Sequence, residues 1–172
     1  MLFRSKATFN TLYGTYAASG NLTLDSTTNA TKGFVNIAPT GGNVGIGNTT
    51  PGEKLEVTGN IRTSGQLSTG SQTISGGTTA INWNNGNAIS TDYNCASSLA
   101  FANLRDGGTY TLVATDTGTT QCSFSTTTTG TDAATVSYRF NPANAARTSS
   151  KHTVYTLMRV GTIVYVSWSS GF

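Results

Sequence analysis

The sequence predicts an all-β chain in two parts, a thin intertwined β shaft over residues 1–79 and a β-sandwich tip over residues 80–172. Three observations carry that prediction. Half of the 172 residues are Thr, Ser, Asn or Gly, and only 10% are charged. Lys and Glu are too scarce to clothe helices, whereas β-branched Thr suits a pleated, half-exposed surface. Apolar residues recur with period two, as in Val44-Gly45-Ile46, Leu55-Glu56-Val57 and Tyr155-Thr156-Leu157, and period two is the spacing of strands. Gly, Asn, Asp and Pro punctuate these runs at short intervals, as turns between strands require.

In the shaft, weak strands are expected over residues 8–15 and 21–24, then over residues 32–39, where Pro39 and Gly41-Gly42 end the run. The stretch Asn43 to Ile61 follows, read as two very short strands around a Pro51-Gly52 turn. Each offers two or three apolar side chains, and two such strands cannot hold a core in water. Copies of the same chain are the simplest cover, with glycines letting the backbones approach a shared axis. An assembly of like chains is therefore expected, with Val44, Ile46, Leu55 and Val57 as its core in the shaft. Ile61, Leu67 and Ile74 continue the sparse rhythm to a boundary at Gly76-Gly77-Thr78-Thr79.

In the tip, strands are expected over residues 80–83, 99–104, 109–114, 121–125, 135–140, 152–160 and 162–168. This is sandwich spacing. The one helical candidate is a single turn at Pro142-Ala143-Asn144-Ala145-Ala146-Arg147. The final hairpin, tight around Gly161, is apolar on both faces, and a strand apolar on both faces is expected to be covered on both. One cover would be the other sheet and the second a neighbouring chain.

The run Asn43-Val44-Gly45-Ile46-Gly47, followed by Pro51 and by Lys54-Leu55-Glu56-Val57-Thr58-Gly59-Asn60-Ile61, resembles a motif in the shafts of phage tail fibres. The tip runs Leu104-Arg105-Asp106-Gly107-Gly108-Thr109-Tyr110-Thr111-Leu112-Val113 and Tyr155 to the closing Gly171-Phe172 resemble the C-terminal tips of those fibres. They are similar too to the adhesive fibre proteins of predatory bacteria such as Bdellovibrio. The resemblance implies an intertwined homotrimer whose tip recognises a bacterial surface glycan or envelope protein, on an extracellular or cell-surface fibre or a virion tail. It carries over no binding residues.

The chemistry-bearing residues point the same way. Cys95 and Cys122 both lie in the tip and are expected to pair, the alternatives being two buried thiols or, least favoured, a metal site with His152, the one histidine. A disulfide would imply an oxidising, extracellular setting. Glycoside cleavage needs two facing carboxyls, but Asp106, Asp116 and Asp132 stand in Gly- or Thr-rich turns, where Asp serves the backbone. A polysaccharide-cleaving spike is thus the alternative to a non-enzymatic adhesin, and a purely structural trimerising cap is the third. Gly41 to Gly47 lacks the Lys-Ser/Thr of a phosphate loop. No cofactor is called for. Ten dispersed basic residues and a net charge of +3 give no nucleic-acid footprint. No apolar run approaches a membrane span, and none follows Met1 as in a secretory signal, so a distal piece of a longer fibre is expected. For ligand binding the candidates are Trp83 and Tyr93, aromatics beside an Asn-rich loop suited to sugar rings, with Arg147, Lys151 and His152 to grip an anion.

Overall fold

The computed structural model describes Ile37 and residues 42–115 and 118–172. The shaft strands expected over residues 8–15, 21–24 and 32–39 lie outside the described residues, Ile37 excepted. The chain divides into two compact units, residues 1–64 and 65–172. The division precedes the Gly76–Thr79 run because residues 71–74 pair into the sheet of the second unit. Among the described residues there is no α-helix, and the protein is all-β with one large mixed sheet.

In the first unit, β1 (Val44–Ile46) pairs with β2 (Leu55–Val57) in parallel, Val44 opposite Leu55. Parallel neighbours ordinarily need a long crossover; here residues 47–54 suffice because side chains tie the loop to itself. Asn43 donates to the Pro51 carbonyl at 2.8 Å, Lys54 donates to that of Gly42 at 3.0 Å, and Glu56 accepts the Gly52 amide at 2.8 Å. Gly45 has to be glycine, since a Cβ there would lie 2.0 Å from the Asn48 carbonyl oxygen. The pair builds no core of its own. Ile46 is 56% exposed, Leu55 is 59% exposed, and Val44 and Val57 are only half-buried.

The second unit is organised by a six-stranded sheet. Its strands are β3 (Ser71–Ile74), β5 (Ala88–Thr91), β7 (Thr109–Ala114), β8 (Ser137–Phe140), β9 (Thr153–Val160) and β10 (Ile163–Ser170), in the spatial order β3-β5-β7-β9-β10-β8. β9 lies antiparallel to both β7 and β10, and the other pairings are parallel. A second sheet has two strands, β4 (Ala80–Asn82) and β6 (Ala100–Ala102). One face of the large sheet is dry. Ile89, Leu112, Tyr155, Leu157, Val164 and Val166 are buried along it, in one cluster with Ile81 and Phe101 of the small sheet and with Leu99, Leu104 and Phe124 from loops. Phe124 meets Tyr155 edge-on at 5.4 Å between ring centroids and Phe101 at 5.2 Å. Such aromatic pairs add to the burial of their area.

Two expected elements are absent. Residues 121–125 form no strand, only an isolated bridge from Phe124 to Leu99. Burial alternates there as in a strand, but the Cys122 carbonyl is taken by the Asn144 side chain at 2.7 Å. Residues 142–147 form no helical turn. Their polar groups point to distant partners, with the Pro142 carbonyl accepting from Trp168 Nε1 at 3.2 Å and the Arg147 amide donating to Thr119 at 3.1 Å.

Candidate functional site

The predicted aromatic platform lies in the core. Trp83 opens a 3-10 turn, Trp83–Asn85, directly after β4, and its ring enters the core beside the inward Ile81. Trp83 is 3% exposed, 5.6 Å from Phe101 and 4.7 Å from Tyr110 between ring centroids. Tyr93 is 8% exposed, and its hydroxyl accepts the Ser97 amide at 2.6 Å, folding the loop around itself. Neither ring face is open to a sugar, which corrects the expectation for both residues. Arg147 is likewise buried, its Nε donating to the Thr120 carbonyl at 2.9 Å, so it acts as a strut between loops. Lys151 and His152 are exposed. The His152 amide donates to the Phe172 carbonyl at 3.1 Å, and the Gly171 amide donates back to His152. The five candidates therefore form no common site.

Cys95 and Cys122 are joined in a disulfide, both buried, with Cα atoms 4.8 Å apart. The described carboxylates of this unit serve the backbone. Asp106 Oδ1 accepts the Gly107 amide at 2.9 Å and the Gly161 amide at 2.7 Å. Asp132 accepts the Asp106 amide and Asp92 that of Gly76, each at 3.3 Å. Among the described residues no group of three or more His, Cys, Asp and Glu is placed to hold a metal, and no helix is long and apolar enough to cross a membrane.

Three phenols lie in or against the core, Tyr110 and Tyr155 buried and Tyr138 half-buried. Desolvation pushes Tyr110, Tyr138 and Tyr155 above the ordinary tyrosine range, chiefly through burial and against the opposing pull of nearby arginines. The unfolded chain then loses these protons first, at about pH 10. The phenols leave stability intact below about pH 10 and withdraw it as pH rises further. The denaturation midpoint is expected to stay level from pH 8 to 9 and to fall steeply from pH 10 to 11. Equal midpoints at pH 8 and 11 would contradict this.

The second face of the final hairpin, expected to pack on a neighbouring chain, is the open face of the large sheet; what the sequence does not show is the polar and charged side chains that share it. Pairing registers place Thr109, Met158, Tyr165 and Arg139 in one row across β7, β9, β10 and β8. The next row holds Thr111, Thr156 and Ser167. Met158 and Tyr165 are each 45% exposed and Val160 is 55% exposed. Arg139, Asn141, Thr156, Met158, Tyr165 and Ser167 line an open depression of about 430 Å³. No protein-family model, curated protein or solved structure matches the chain.

Proposed function

We propose that the chain is a non-enzymatic adhesin, the distal part of a homotrimeric extracellular fibre that recognises a bacterial surface glycan or envelope protein. The observation that carries the assembly is the β1–β2 pair, which leaves Ile46 and Leu55 more than half exposed. Two three-residue strands with bare apolar side chains have no independent stability. Val44, Ile46, Leu55 and Val57 are in this reading the contacts between chains, as in the tail-fibre shafts that the motif resembles. The tip-like ending and the disulfide support a secreted or surface setting. Cleavage of a polysaccharide is disfavoured because Asp92, Asp106 and Asp132 are occupied with backbone amides.

Static light scattering tests the assembly. The expected mass is three times 17.8 kDa, and a monomer mass refutes the trimer. Pull-down on bacterial envelope preparations tests the adhesin. Saturable binding to at least one envelope is expected, and binding to none would leave a structural cap.

A further inference from the structure

We propose that the open face of the six-stranded sheet binds a carboxylate-bearing sugar, with the pyranose ring seated on Tyr165 and the carboxylate paired with Arg139. The proposal rests on the adhesin reading and names its site and ligand class.

The chemistry converges from separate strands. Arg139 of β8 is exposed, and its guanidinium has no hydrogen-bond or ion-pair partner among the described residues. Its register neighbour on β10 is Tyr165, whose own neighbour on β9 is Met158. A half-exposed phenol ring beside a thioether is an apolar floor for the C–H face of a pyranose, leaving the Tyr165 hydroxyl at the rim. Asn141, Thr156 and Ser167 surround that floor with an amide and two hydroxyls, donors and acceptors in the mixture that sugar hydroxyls require. A volume of about 430 Å³ lies in the range of small-ligand sites, roughly 300–1,000 Å³.

Charge decides between classes of occupant. The depression is lined by one cation and no carboxylate. A guanidinium forks onto a carboxylate with two parallel bonds, and a single cation balances a single negative charge. A second copy packed face to face is a poorer occupant, because the same face would bring a second Arg139 and no carboxylate. Covering Arg139 with such a surface would bury a cation without an anion, at a large desolvation cost.

The test uses the full chain on immobilised oligogalacturonate, hyaluronate and polysialate oligosaccharides, with maltooligosaccharides of matched length as the neutral set. The wild type is expected to bind at least one acidic set and to prefer it to the neutral one. Arg139→Gln and Tyr165→Ala are each expected to weaken that binding by about tenfold or more. Tyr165→Phe, which keeps the ring, should stay within about threefold. Wild-type binding to none of the acidic sets, equal binding to acidic and neutral sets, or binding unchanged in both variants overturns the site. A fall in assembled mass for Tyr165→Ala overturns it too, since the face would then be an interface between copies. If envelopes are bound equally by the wild type and both variants, the site is wrong and the adhesin reading stands. If the wild type binds no envelope, both fall.

Discussion

Replacing Arg159 by methionine is expected to lower the unfolding free energy by about 3 kcal/mol or more. Arg159 stands on the buried face of β9, after Tyr155 and Leu157 in the same inward alternation, and is 5% exposed. Its Nε donates to the Gly161 carbonyl at 2.8 Å, and its Nη1 donates to Asp132 at 2.6 Å and to Leu104. One guanidinium thus ties together the β9–β10 turn and two loops distant in sequence. Methionine fills much of the volume but leaves the buried Leu104 carbonyl without its donor, at about 1–3 kcal/mol, and removes charged-donor bonds to the part-buried Asp132 and Gly161 carbonyls, about 1 kcal/mol each. Lysine should recover only part of the loss, since one ammonium cannot stand at both the Nε and the Nη1 positions of the planar fork. Arg139→Met on the opposite face is the control, expected within about 0.5 kcal/mol of the wild type. A denaturant midpoint for Arg159→Met equal to that of the control would refute the assignment.

The second large effect belongs to the disulfide. Its partners are 27 residues apart, and the loop they close spans β6 and β7 with Leu99, Phe101, Leu104 and Leu112 of the core. In the chain-entropy model, opening a loop of that length costs about 3.5 kcal/mol. For the Cys95→Ala, Cys122→Ala double variant this corresponds to a drop in Tm on the order of 10 °C. Alanine is the fit replacement because both positions are buried and apolar. Reductant should shift the wild type toward the variant and leave the variant unmoved. A Tm shift under about 2 °C would show that the bond contributes little.

How much of this was legible in the sequence depends on the range over which each feature is written. The β9–β10 hairpin follows from period two and the Gly161 turn, and β7 from Tyr110 and Leu112 alternating with Thr. Both are local signals. β5 was invisible because Ala88-Ile89-Ser90-Thr91 carries a single bulky apolar residue. Its strand character comes from flanking partners β3 and β7. The parallel pairings of β1 with β2 and of β8 with β10 have no local signature, since register between separate strands is set by packing. Trp83 was readable as core from its parity with Ile81, yet the Asn-rich turn drew it toward the ligand. Arg159 hides in plain alternation, because an arginine in an inward position is easily assigned to the surface. Arg139 and Tyr165 become neighbours only through the β8–β10 pairing, so their joint face could not be read from a sequence in which they lie apart.

The strand order carries a consequence for biosynthesis. β9 and β10 are the last strands of the large sheet to be made, yet they occupy interior positions in it, where β7 waits for β9 and β8 waits for β10. A ribosome delivering this chain from its N-terminus exposes β3, β5 and β7 as an unfinished edge until the final hairpin emerges. Non-local pairing of this kind is slow, and unpaired edges invite association. Nascent chains cut before residue 153 should therefore be protease-sensitive over the entire second unit, with protection arriving in one step once the hairpin is complete.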